Sequence, residues 1–97
     1  MRVLSKTKLR DFWLTHPDAE KQLKEWYKVA VKSDWKNPYE IKSLYPKTSI
    51  IPGDRLVFNI KGNTYRLIVK ISYHYQMIYV RFIGTHSEYD KIDVATI

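Results

Sequence analysis

The chain has no cysteine, which removes disulfide frameworks, thiolate metal sites and a cysteine nucleophile from consideration. No apolar run approaches the ~18 residues of a membrane span. The first residues, Met1-Arg2-Val3-Leu4-Ser5-Lys6, also lack the apolar core of a signal peptide, so a soluble, cytoplasmic protein with no membrane partner is expected. Internal repeats, low-complexity tracts and interdomain linkers are missing as well, and 97 residues suffice for one modest core; a single domain over residues 1–97 is expected. The histidines, His16, His74 and His86, are far apart and have no supporting carboxylate spacing, so neither a metal site nor a cofactor is expected. Acidic residues are scarce: 10 Asp and Glu against 17 Lys and Arg leave a net charge of +7, which favours a nucleic acid or an acidic protein as partner.

The first half of the chain has helical spacing. After a candidate short strand, Met1 to Leu4, Ser5 has the hydroxyl of an N-cap, and Leu9, Phe12 and Trp13 then share one side of a helix. Pro17 suits the first turn of a second helix, whose stripe is Ala19, Leu23, Trp26, Tyr27 and Ala30. Lys21, Lys24, Lys28 and Lys32 project away from that stripe, as a solvated face or at most auxiliary phosphate contacts. Asn37-Pro38 repeats the cap-then-proline signal for a short third helix ended by Pro46, and Trp35 just before it is read as closing the core. Lys47 to Asp54 is read as a loop with a turn at Pro52-Gly53.

The second half alternates with a period of two. Leu56, Phe58 and Ile60 form one face of a first strand, Gly62-Asn63 a hairpin tip, and Tyr65, Leu67, Val69 and Ile71 the matching face of a second. Met77 to Ile83 is the third strand. Matching apolar faces across the tip pairs Phe58 with Leu67 and Asn59 with Arg66. Repeating this across Ser72 to Tyr75 pairs Leu67 with Val80 and Arg66 with Arg81, a juxtaposition costing roughly a few tenths to 1 kcal/mol. It makes sense if the two arginines serve an anion. The plainer alternative is that Glu88 or Asp90 folds back to neutralise them as a surface ion network.

Helices followed by strands imply an α+β domain: a compact antiparallel sheet, a three-strand meander with the short N-terminal strand as a candidate fourth, and the helices on one face. With the helices over Leu56, Phe58, Leu67, Val69, Val80 and Phe82, the residues Asn59, Arg66, Lys70, Tyr79 and Arg81 would share the open face. Metal-free RNA cleavage needs a base for the ribose 2′-hydroxyl, cations for the phosphate and an acid for the departing 5′-oxygen. His86, Arg66, Arg81 and Tyr89 are residues of those types. A lone histidine after a strand is more often a structural hydrogen-bonding residue than a catalyst; the place of His86 after the arginine strand and three residues before Tyr89 singles it out. His74, between Tyr73 and Tyr75, is read as a loop residue.

The segments Trp35-Lys36-Asn37, Tyr45-Pro46, Val57-Phe58-Asn59-Ile60, Gly62-Asn63, Tyr65-Arg66-Leu67, Arg81-Phe82, Gly84-Thr85-His86 and Glu88-Tyr89-Asp90, in that order, resemble the HigB-type toxins of the RelE-like superfamily. The resemblance implies the toxin of a type II toxin–antitoxin pair, an mRNA endoribonuclease cutting in the ribosomal A site. Its implied partners are mRNA, the ribosome and a HigA-like helix-turn-helix antitoxin, with operator DNA reached only through the antitoxin complex. Arg66 and Arg81 would then hold the scissile phosphate, His86 would act as general acid or base, its ordinary pKa being nearest neutrality, Tyr89 would orient the RNA or share the proton transfer, and Asp90 would position the histidine or an arginine. Lys61 and Lys70 are reserves for proton transfer or phosphate contact, Tyr79 is a stacking platform, and Asn59 and Asn63 support the hairpin. Two other readings use the same face: a noncatalytic RNA-binding or translation-inhibiting module, and a domain that only docks an acidic protein.

Overall fold

The computed structural model describes residues 1–97. Its elements run β1 (Arg2–Leu4), α1 (Thr7–Thr15), a single 3₁₀ turn (Pro17–Ala19), α2 (Glu20–Lys32), α3 (Pro38–Leu44), β2 (Ser49–Ile51), β3 (Arg55–Ile60), β4 (Tyr65–Ser72), β5 (Met77–Thr85) and α4 (His86–Tyr89). The strands form one sheet in the order β1-β5-β4-β3-β2. β1 runs parallel to β5 and every other pair is antiparallel, so the sheet is mixed rather than wholly antiparallel. The expected α+β architecture is present, with two strands beyond the meander. β1 is the anticipated N-terminal strand; β2 corrects the reading of Lys47 to Asp54 as loop alone, because Ser49, Ile50 and Ile51 pair with Val57, Leu56 and Arg55.

The helix starts follow local chemistry. Asn37 accepts from the N–H groups of Tyr39 (3.0 Å) and Glu40 (3.1 Å), and Pro38 occupies the position whose missing N–H costs nothing. Ser5 does not cap α1. It sits at φ 63°, turning the chain out of β1, and Lys6 stands at the N-cap without a side-chain bond.

Leu9, Phe12, Leu23, Trp26, Ala30, Trp35 and Ile41 from the helical half pack on Leu56, Phe58, Ile60, Leu67, Val69, Ile71, Ile78 and Val80 of the sheet. Trp26 and Tyr45 both meet Phe58 edge-on, at 5.5 and 5.4 Å between ring centroids. The stripe read on α2 is buried except for half-buried Tyr27, and its four lysines are exposed.

The β3–β4 register is the expected one, Phe58 opposite Leu67 and Asn59 opposite Arg66. The β4–β5 register is not. Leu67 faces Ile83 and Arg66 faces Gly84, three residues from the expected partners: Ser72 pairs with Met77, so the turn runs from Tyr73 to Gln76 and moves every pair by two, and a bulge between Ile68 and Val69 adds the third by leaving Arg81 as an extra residue between Val80 and Phe82. The extra residue restores alternation out of phase, so Ile83 joins the helical side and Phe82, expected there, lies opposite Ile68.

The other face is not open, contrary to the simple picture of an uncovered sheet. Val57, Arg66 and Ile68 on it are buried. The chain after α4 returns to the far edge, where Arg55 Nε donates to the carbonyl of Ile97 at 2.8 Å.

Candidate active site

A turn and a four-residue helix bring the polar groups together at one end of the sheet. The tip Gly62-Asn63 is closed by Thr64 N–H donating to the Lys61 carbonyl at 3.1 Å, with positive φ at Lys61 (55°) and Gly62 (63°). Lys61 itself is exposed, and its N–H donates to the side-chain carbonyl of Gln22. Just beyond, Arg66 turns back on the tip. Its guanidinium donates to the main-chain carbonyl of Asn63 (3.0 Å), to that of Tyr65 (3.3 Å) and to Asn63 Oδ1.

α4 is placed by a capping box. Thr85 Oγ1 accepts from Glu88 N–H at 3.2 Å, while a Glu88 carboxylate oxygen accepts from Thr85 N–H at 2.8 Å. The bond from Thr85 N–H first, then the Thr85 side chain, with smaller help from the charges of His16 and Lys91, hold the Glu88 carboxyl below its ordinary pKa against an opposing burial effect. The helix is tied to the turn by His86 N–H donating to the Thr64 carbonyl at 3.1 Å. Gly84 lets this happen: a Cβ there would meet the Phe82 ring at 2.5 Å and Glu88 Oε1 at 3.1 Å.

Two consequences follow for charge. Tyr89 is carried over Arg66, with the guanidinium carbon 5.7 Å from its ring centroid, and His86 Nδ1 lies 3.1 Å from Asp90 Oδ2. Arg66 is buried yet forms no salt bridge; the ion pairs of the molecule are Arg10–Asp11, Lys24–Glu20 and His86–Asp90. Glu88 and Asp90 therefore do not neutralise the arginines. A buried cation without a carboxylate is costly to desolvate, and here neutral carbonyls and an aromatic face orient it without cancelling its charge. The His86–Asp90 contact engages Nδ1 and leaves Nε2 of an exposed imidazole directed elsewhere.

The remaining residues do not all gather here. Asn59 is half-buried opposite Arg66 on the same face. Lys70 is opposite Tyr79 and four residues along β4 from Arg66, about 13 Å at strand rise. Tyr79 directs its hydroxyl to Met77 Sδ at 3.3 Å. Arg81, the bulge residue, is exposed and lines a separate open depression with Lys8, Asp11 and Phe12. The expected Arg66–Arg81 pair is thus replaced by Arg66 with Asn63 and Tyr89. No group of three or more His, Cys, Asp or Glu side chains comes together with metal-binding geometry.

The profile of the HigB toxin family, the RelE-like toxic component of a toxin-antitoxin system, matches residues 19–92. The chain belongs to the HigB toxin family. It is similar to mRNA interferase HigB of Escherichia coli O6:H1 (strain CFT073), 26% identical over 94 residues that cover 95% of this chain and 91% of the relative. It is also 26% identical over 92 residues to mRNA interferase toxin HigB of Escherichia coli K12 and to mRNA interferase HigB of Shigella flexneri, covering 93% of this chain and 88% of each. The span that identifies this HigB-family chain contains the whole turn-and-helix cluster, from Asn63 to Asp90.

At this candidate site Asn63, expected only to support the hairpin, also accepts from the Arg66 guanidinium. Its spacing from Arg66, three residues across a tight turn, was the available signal. His16, far in sequence from the other histidines, stacks on Phe12 at 4.1 Å and meets Tyr65 edge-on at 5.4 Å, beside the bond from Tyr65 hydroxyl to Asp18 Oδ1 (2.6 Å). That bond first, then burial, raises the Tyr65 phenol above its ordinary pKa.

Proposed function

We propose that this HigB-family toxin is an endoribonuclease that cuts messenger RNA on the translating ribosome and so arrests protein synthesis. The observation that carries the reading is Arg66: a buried guanidinium with no carboxylate, aimed by Asn63 under Tyr89, beside a helix that presents the His86–Asp90 pair. The names of the relatives, mRNA interferases, support the substrate class. In the reaction the ribose 2′-oxygen attacks the adjacent phosphorus as its proton is taken by a base. The bond from phosphorus to the 5′-oxygen breaks and that oxygen is protonated, leaving a 2′,3′-cyclic phosphate and a 5′-hydroxyl.

Arg66 binds the nonbridging oxygens, where charge grows in the pentacoordinate transition state. His86 Nε2 moves a proton while Asp90 holds Nδ1 and steadies the imidazolium. Tyr89 keeps Arg66 in place and offers its ring to a base. Asn59 and Lys61 lie at the rim of this cluster; Lys70, Tyr79 and Arg81 serve at most as peripheral RNA contacts. No metal and no cofactor enters the step. With His86 and Asp90 exposed on a short helix at the end of the sheet, the chain relies on the ribosome to present the strand.

Primer extension on programmed ribosomes tests this, with wild type, His86→Ala, and Arg66→Ala beside Arg66→Lys. Wild type cuts in the A site, His86→Ala and Arg66→Ala lose the cut, and free RNA is cut far more slowly. Intact message under full translation arrest would leave a noncatalytic module instead. Loss with the arginine variants alone would take proton transfer away from His86.

A further inference from the structure

The helical side of the molecule carries a second feature that the cleavage site does not use. Between α1 and α2 lies a groove of about 270 Å³ whose floor is Leu9, Trp13 and Tyr27 and whose rim is Lys6, Arg10 and Lys24. No carboxylate lines it. The two helices run antiparallel, since Lys24 Nζ sits 5.3 Å from the Trp13 ring centroid and Lys6 Nζ 5.6 Å from that of Tyr27.

The apolar surface continues at both ends. Leu14, 67% exposed, follows Arg10 by one helical turn, and Val31, 42% exposed, follows Tyr27 by one turn. These two exposed hydrophobic side chains continue the helix faces that carry Arg10 and Tyr27, one turn beyond the groove on each helix. A trough between two antiparallel helices accepts a third helix along its length, with apolar anchors every three or four residues.

Charge selects the kind of helix. Arg10 has only a loose contact with Asp11 (3.9 Å), Lys24 has Glu20 at 2.6 Å, and Lys6 has no carboxylate partner. Three cations around an apolar floor favour Leu or Ile anchors flanked by Asp and Glu.

We propose that the α1–α2 groove is the docking surface for an acidic amphipathic helix of the antitoxin with which this HigB-family toxin is paired. The proposal rests on membership of a toxin-antitoxin family and not on the nuclease reading, and it puts antitoxin recognition on residues separate from Arg66 and His86.

The test uses the full-length toxin and its cognate antitoxin in stopped-flow and equilibrium titrations at several salt concentrations. Arg10→Glu/Lys24→Glu is expected to slow association about tenfold or more and flatten its salt dependence, while Arg10→Lys/Lys24→Arg stays close to wild type. Leu14→Ser speeds dissociation several-fold. Leu14→Ser cuts mRNA like wild type, because Leu14 lies outside the cleavage site. Wild-type association and dissociation rates in the charge-reversed and Leu14→Ser variants would overturn the proposal. So would a charge reversal that impairs mRNA cleavage but leaves antitoxin binding intact, which would make the groove an RNA surface. Absence of cleavage by wild type would sink the nuclease reading and leave the antitoxin result standing.

Discussion

Arg66 and Leu67 are adjacent in β4 and face opposite sides of the sheet, and they are buried by different means. Leu67 lies within a continuous apolar cluster under α1 and α2. Its surroundings are shared among many side chains from both halves of the chain. Arg66 lies beside the β3–β4 tip, and its hydrogen-bonding partners come from within three residues of it. The first side is held together by burial of apolar area, which depends little on direction. The second depends on a few directed hydrogen bonds, so one misplaced residue undoes it.

The sharpest way to break that comparison is to truncate the two neighbours separately. Leu67→Ala is expected to lower stability by about 2–5 kcal/mol, read by urea or thermal unfolding, while the folded fraction still cuts mRNA. Arg66→Ala is expected to lower A-site cleavage about 10²–10³-fold with a smaller loss of stability. Equal losses of stability in both variants would mean that Arg66 is mainly structural. Next, Asn63→Ala should lower cleavage about tenfold by releasing the guanidinium it aims, and Asn63→Asp should lower it as well by neutralising the cation; a wild-type rate in both would detach Asn63 from the site.

Arg81 sharpens the contrast between two arginines of one sheet. Because the bulge turns it toward Lys8 and Asp11, Arg81→Ala should weaken cleavage only about two- to fivefold, chiefly at low salt. A loss as large as that of Arg66→Ala would restore the two-arginine site expected from a regular register.

The smallest effect concerns Glu88. Its folded pKa is depressed by the bonds from Thr85, so its stabilisation of α4 is fully present above the ordinary carboxylate pKa and is lost as pH falls through the lowered value. An NMR titration of the Thr85 and Glu88 amides should therefore show a midpoint below that of an unstructured glutamate. A midpoint at or above the ordinary value would mean that the capping box does not hold α4 in solution.

Much of this was legible in the chain. Alternation in β3 and β4 gave the Asn59–Arg66 register because a two-residue tip leaves a single pairing of the apolar faces. Asn37-Pro38 announced α3, the α2 stripe is the buried one, and Thr85-x-x-Glu88 is the capping-box spacing that starts α4. The β4–β5 pairing failed for two physical reasons: the turn falls at Tyr73 to Gln76, one residue later than expected, which moves the register by two, and a bulge then adds one residue without any compositional mark and reverses every side chain beyond it. The bulge explains why Phe82 and Ile83 exchanged faces, and turn and bulge together explain why Arg66 meets Gly84 and not Arg81.

By itself, then, the sequence determined the helical and strand periodicities, the apolar side of each, the positive charge and the order of polar residues that resembles the HigB toxins. These follow from local spacing and composition. The tertiary structure alone decided which residues meet: Arg66 with Asn63 and Tyr89 rather than Arg81, His86 with Asp90, β1 beside β5, and the groove between α1 and α2. Those contacts depend on register and on the direction of side chains across elements distant in sequence, and neither is encoded by any single stretch of the chain.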